Sequence, residues 1–236
     1  MAKIITFGEV MLRLAPHGYY RLIQTDDLEA TYGGAEANVA VSLANYGEDV
    51  AFVTKLPENL IGQAAVNSLR RYGVDTGKIV RGGERVGIYY MEKGASQRGS
   101  LVIYDRKYSA MQQAQSGDFD WKKIFRGAKW FHFTGITPAL SPEVAKICLE
   151  ACKAAKANKM TVSCDLNYRG KLWTKDAAKA TMTKLLKYVD VVIANEDDCS
   201  DVLGIKAANS DTTKGALDEK GYESVAKQVQ KAFKLK

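Results

Sequence analysis

The chain has 236 residues, 46% hydrophobic and 26% charged, with a net charge of +7. That balance suits a globular protein with one sizeable core. No apolar run approaches the ~20 residues of a membrane span, and the lysines are spread among acids rather than gathered with aromatics, which argues against membrane and nucleic-acid partners. Cys148, Cys152, Cys164 and Cys199 form no Cys-x-x-Cys pair, and there are only two histidines. A disulfide framework and a zinc site are both disfavoured, and the setting reads as a reducing cytoplasm.

In chain order, residues 3–7 are apolar, β-branched and end at Gly8, which predicts a first strand. Residues 19–32 look different from the core strands. Tyr32-Gly33-Gly34-Ala35-Glu36-Ala37-Asn38 then ends an extended segment and runs directly into a helical pattern. A glycine there lets a ligand approach the backbone, and the first helical N–H groups point at the same space, or the motif is simply a tight turn with a helix cap. Residues 50–53 predict a second strand, and 61–72 a helix closed by Gly73. Residues 87–92 and 101–106 flank a Gly/Ser-rich turn and predict a hairpin, read as a small lid outside the main sheet.

Residues 128–133, 160–165 and 189–194 predict three more short strands of the kind buried on both faces of a parallel sheet. Between them lie helices over 142–157, with Ser141 as N-cap and Pro142 at the first helical position, and over 175–188, capped by Thr174. A short helix over 196–203, a polar loop over 206–215 and a helix over 222–233 follow. No strand comes after that helix, so the chain reads as cut at a helix–strand junction, with a genuine C-terminal helix as the alternative. Strand–helix alternation predicts an α/β sandwich with right-handed crossovers.

Two further motifs fall where open parallel sheets hold ligands, at the C-terminal ends of strands. Asp165-Leu166-Asn167-Tyr168-Arg169 offers a guanidinium for a carboxylate or phosphate. Asn195-Glu196-Asp197-Asp198 offers oxygens suited to hydrated Mg²⁺ and its phosphates, or simply an acid-rich helix start. Neither G-x-x-x-x-G-K-[ST] nor G-x-G-x-x-G occurs, which argues against P-loop and dinucleotide enzymes.

Taken together, Gly33 to Ala40, the hairpin with Tyr89 and Tyr104-x-Arg106, Asp165-x-Asn167-Tyr168-Arg169 and Asn195-Glu196-x-Asp198 resemble the ribokinase-like (PfkB) carbohydrate kinases. Within that family the run 165–173 and the opening Phe7-Gly8-Glu9-Val10-Met11 are most similar to 2-keto-3-deoxygluconate kinases. The resemblance implies a three-layer α/β/α sandwich as one domain over 1–236, incomplete at its C-terminus, with a small β lid from about 13–33 and 86–107. It implies transfer of the γ-phosphoryl group of ATP, with Mg²⁺, to a hydroxyl of a sugar acid in the cytoplasm. Gly34, Asn38, Tyr89, Tyr104, Arg106 and Arg169 would bind substrate, Asn167 and Asn195 the nucleotide, and Asp198 the metal-bound phosphates. Asp198 stands where the family has Glu, one methylene longer. The resemblance also implies a homodimer through the lid.

The family's Gly-Ala-Gly-Asp run, which carries the anion hole and the catalytic base, does not occur in this sequence. Asp211-Thr212-Thr213-Lys214-Gly215-Ala216 is only superficially similar to it. The expectation is therefore a sugar site without a base. Other readings stay open: a non-catalytic sugar-acid binding module, or a ribokinase or fructokinase acting on a neutral sugar. Residue by residue, Tyr89 and Tyr104 read equally as cross-strand aromatics, and Arg106 as a solvated hairpin residue.

Overall fold

The computed structural model describes residues 3–206 and 219–236. The chain divides after Phe119 into two compact units.

Unit 1 contains β1 (Ile4–Phe7), β2 (Met11–Ala15), β3 (Glu29–Gly33), α1 (Ala35–Asn45), β4 (Val50–Val53), β5 (Lys55–Leu56), α2 (Leu60–Arg70), β6 (Val80–Arg81), β7 (Ile88–Glu92) and β8 (Leu101–Asp105). β1 and β4 pair in parallel, Ile4 with Val50 through Phe7 with Val53. All four residues of β4 are buried, as expected of a strand covered on both faces.

A separate four-stranded sheet has the order β3-β2-β7-β8. β7 and β8 form the hairpin expected from the sequence, antiparallel with Tyr89 opposite Tyr104. β2 pairs antiparallel with β3 and parallel with β7. The sequence reading had no strand at 11–15, and it set 19–32 apart from the core strands without marking β3, which closes that stretch. One face of this sheet, with Leu12, Leu14, Tyr32 and Ile88, packs on the apolar cluster formed by Phe52, Leu56, Val66, Leu69 and the α1 residues Ala37 and Ala40. Alternation along each strand sends the other face the opposite way.

Unit 2 contains α3 (Trp121–Ile124), β9 (Trp130–Thr134), α4 (Pro142–Ala157), β10 (Thr161–Asp165), α5 (Lys175–Leu185), β11 (Val191–Ile193), α6 (Glu196–Asp198) and α7 (Glu219–Phe233). β10 lies between β9 and β11, parallel to both. α4 begins as the sequence predicts, with Ser141 Oγ accepting from Val144 N at 3.2 Å. α5 begins likewise, with Thr174 Oγ1 accepting from Ala177 N at 3.3 Å. Trp121, Phe125, Phe131 and Phe133 pack in series, stacked at the two ends and edge-to-face between Phe125 and Phe131, with successive ring centroids 5.1–5.7 Å apart. β11 is only three residues long, shorter than the 189–194 expected. Most of the polar loop read over 206–215, including Asp211 and Thr212, lies outside the described residues.

Among the described residues no helix is long and apolar enough to cross a membrane. All four cysteines are buried free thiols.

Candidate active site

Each unit carries its own set of candidate residues. In unit 1 the set begins at the β3–α1 junction. Gly34 is the N-cap of α1 in an extended conformation, and no side chain caps that helix. A Cβ on Gly34 would stand 2.0 Å from the Glu9 carbonyl oxygen. The glycine is thus required by the approach of the protein's own backbone, a reason the sequence alone did not give. Asn38 N closes the first turn on Gly34 O at 2.8 Å, while the Asn38 side chain is exposed. The point where a Gly33 side chain would start is 3.4 Å from Tyr89 Oη and 3.7 Å from Asn38 Oδ1. Tyr89 therefore reaches the first turn of α1.

The strand registers place Thr31, Arg13, Tyr89 and Tyr104 in one row across the sheet. The Tyr89 and Tyr104 rings are 6.1 Å apart. Arg13 Nε donates to Thr31 Oγ1 at 2.8 Å. Burial raises the Tyr89 hydroxyl above its usual range, and the neighbouring Arg13 guanidinium draws it partly back.

Arg106 follows β8 and is not a solvated hairpin residue. Its Nε donates to Glu9 Oε2 at 3.0 Å, and its Nη2 bonds the same oxygen. Ser109 Oγ donates to the other Glu9 oxygen. The two charged side chains are only 12% and 3% exposed, so neither charge has water to fall back on. The Arg106 Cζ lies 5.6 Å from the Tyr104 ring centroid, within cation–π range. The sequence reading did not single out Glu9 and Ser109 as partners of the Arg106 cluster, or Arg13 and Thr31 as neighbours of Tyr89. Glu9 had a signal, a carboxylate two residues past the first core strand. Arg13 and Thr31 had none, because strand register is not written in their local sequence.

In unit 2, Asn167, Arg169, Asn195 and Asp198 all line one polar pocket of about 340 Å³, with Asp165, Tyr168, Ile193 and Ala194. Asn167 adopts a left-handed conformation, φ 34°, a form asparagine tolerates better than most residues. It turns the chain sharply at the end of β10. Tyr168 N donates to Asp198 Oδ1 at 3.0 Å. Asn195 caps α6, with Oδ1 accepting from Asp198 N at 2.7 Å, so the helix-start reading of this motif holds together with its place in the pocket. Burial raises both Asp165 and Asp198 above the usual carboxylate range. At Asp165 the Asp198 charge adds to the rise, and at both sites Arg169 opposes it. Arg169 itself is exposed.

No group of three or more Asp, Glu, His or Cys side chains fit to hold a metal occurs among the described residues. Asp165 and Asp198 suit the alternative, a hydrated Mg²⁺ held mostly by phosphate oxygens and one or two carboxylates.

A parallel α/β core, a separate four-stranded sheet beside a helix start, and a polar pocket at strand ends are the parts of a carbohydrate kinase. The family model for pfkB family carbohydrate kinases matches residues 1–230. The chain belongs to the PfkB family of carbohydrate kinases, and its mixed α/β fold is theirs. It is similar to the crystal structure of 2-dehydro-3-deoxygluconokinase from Thermotoga maritima, with 51% identity and a TM-score of 0.95 over 100% of this chain and 69% of that one. It is 37% identical over 202 residues to 2-dehydro-3-deoxygalactonokinase of Haloferax volcanii, covering 86% of this chain and 63% of that protein. It is 29% identical over 174 residues to 2-dehydro-3-deoxygluconokinase of Bacillus subtilis, covering 73% of this chain and 53% of that protein. The chain thus spans less than two thirds of the length of these two curated relatives.

Proposed function

We propose that this chain carries the sugar-acid and nucleotide sites of an ATP-dependent kinase acting on 2-keto-3-deoxygluconate (2-dehydro-3-deoxygluconate) to give its 6-phosphate. The observation that carries the reading is convergence. Four residues separated by up to 31 positions in sequence, Asn167, Arg169, Asn195 and Asp198, line a single pocket, while Tyr89 reaches the helix start that bears Gly34 and Asn38. The named relatives act on keto-deoxy sugar acids, which supports a carboxylate-bearing substrate over a neutral sugar.

In unit 1, Asn38, Tyr89, Tyr104 and Arg106 are the hydrogen-bonding set for the sugar, with Gly34 holding the helix start in place. In unit 2, Asn167 and Asn195 would border ATP. Asp198 would hold the Mg²⁺ hydration shell, and Arg169 would carry charge toward a phosphate or carboxylate. Bound Mg²⁺–ATP supplies the phosphoryl group and neutralises its charge. Transfer forms a bond from the sugar hydroxyl oxygen to the γ-phosphorus and breaks the bond to the β–γ bridging oxygen. ADP leaves, and the hydroxyl proton passes to a base. The Gly-Ala-Gly-Asp run that bears this base in the family is absent from these 236 residues. They are therefore assigned binding and not turnover, in the cytoplasm.

A homodimer is proposed through β8, an edge strand whose Leu101 and Ile103 are about half exposed, because such an edge invites pairing. Sedimentation of the purified chain tests it. The main test is ADP release with ATP, Mg²⁺ and 2-keto-3-deoxygluconate, beside ribose and fructose. No release with any sugar is expected. Turnover with the keto acid would keep the substrate and overturn the assignment of binding alone. Turnover only with ribose or fructose would overturn the substrate.

A further inference from the structure

The two arginines of unit 1 stand in different electrostatic surroundings. Arg106 spends its Nε and Nη2 donors on Glu9, a carboxylate buried almost completely. The pair is neutral as a unit, and a second carboxylate brought to Arg106 would also meet the negative charge of Glu9 a few ångströms away. Arg106 keeps Nη1 for a hydroxyl, but its charge is already matched.

Arg13 is the converse. It is half-buried in the row Thr31–Arg13–Tyr89–Tyr104, on the same face as Tyr89. Among the described residues no carboxylate lies within ion-pairing distance of it. Thr31 Oγ1 takes only its Nε, and Tyr89 stands directly opposite Arg13 in the β2–β7 register. A guanidinium has five donors in a rigid fork, so the Nη edge keeps donors to spare. Thr31 fixes the Nε side of that fork, and Tyr89, opposite Arg13 in the register, reaches toward Gly33 and Asn38 at the start of α1.

We propose that Arg13 is the residue of unit 1 that recognises the carboxylate of the sugar acid, with Thr31 positioning it, while Arg106 serves hydroxyls. This rests on the function proposed above.

The test is calorimetric titration of the full chain with 2-keto-3-deoxygluconate and with its neutral carboxamide, which keeps the shape and loses the charge. For the wild type the acid binds more tightly. Arg13→Met is expected to weaken the acid by about 10- to 100-fold, the size of a charged hydrogen-bonded contact, and to leave the carboxamide nearly unchanged. Arg13→Lys restores part of the loss, since it returns the charge without the fork. Thr31→Val gives a smaller loss that is again specific to the acid, and it tests the assignment even if Arg13→Met fails to fold. Equal weakening of both ligands, or no weakening of the acid in these variants while the wild type binds it, overturns the role of Arg13 and leaves the proposed function standing. A wild-type chain that binds neither ligand overturns the function, and this assignment with it.

Discussion

Arg106 and Arg169 look alike in the sequence, each a lone arginine just past a strand. The structure puts them in opposite surroundings. Arg106 is buried, fastened to Glu9 and set against Tyr104. Arg169 is exposed, and it is felt by Asp165 and Asp198 without being tied to either by a hydrogen bond. Unit 1 builds a stiff charged group into its frame, whereas unit 2 leaves its cation free to move onto a ligand. Among the described residues, unit 2 also buries a histidine without an ionic partner. His132 is neutralised by burial, its pKa lowered to about 4, and Nδ1 meets Ser163 Oγ at 2.9 Å.

The contrast is broken most sharply at Glu9. Glu9→Ala strands a buried guanidinium, and a loss of about 3–5 kcal/mol is expected in urea unfolding. Replacing both partners, Glu9→Leu with Arg106→Met, should recover most of that loss. If the single variant costs no more than a surface change, Arg106 is not locked.

His132 gives the next effect. Its folded pKa lies below its unfolded value of 6.5, so the unfolded chain binds the proton first as pH falls. The stability is complete above pH 6.5, is lost through the window from 6.5 to about 4, and falls no further below that. The full loss from this group is about 3 kcal/mol. Unfolding free energy measured against pH should show that step, and His132→Phe should flatten it. A step that persists in the variant belongs to other groups.

Gly34→Ala drives a methyl into the Glu9 carbonyl 2.0 Å away. A cost of about 2–3 kcal/mol is expected from the shift this forces, visible as a lower denaturation midpoint. A near-neutral result would mean that the β3–α1 junction yields easily. Arg169→Ala is the smallest change in stability, within about 0.5 kcal/mol, because the side chain is exposed and held by no bond. Its effect should appear instead as roughly tenfold weaker Mg²⁺–ATP binding, the scale of one charged contact. A large stability loss at Arg169 would erase the difference between the two arginines.

Much of this was legible beforehand. Ser141-Pro142 and Thr174 marked helix starts because capping is local chemistry, satisfied by a side chain and a backbone N–H three residues on. The β7–β8 hairpin was legible because its turn lies between its strands. β2 was not, since its neighbours β3 and β7 are far along the chain and its Met-Leu-Arg-Leu-Ala run has no turn of its own. The same distance hid the partners of the unit 1 candidates. Glu9 meets Arg106 across 97 residues and Ser109 across 100. Arg13 meets Tyr89 only through a parallel register. The unit 2 pocket was easier, because both of its motifs follow strands directly and parallel pairing of β10 with β11 brings those ends together. What local reading got incompletely right was purpose: Gly34 makes room for Glu9 backbone, and Asn195 spends one oxygen as a cap.

The most direct test is calorimetric titration of the purified 236-residue chain with 2-keto-3-deoxygluconate, beside ribose and fructose, without nucleotide. Saturable binding of one keto acid per chain, with far weaker heat from both neutral sugars, is the predicted result. Equal binding of all three, or no binding of the keto acid, would contradict the reading of unit 1 as a sugar-acid site.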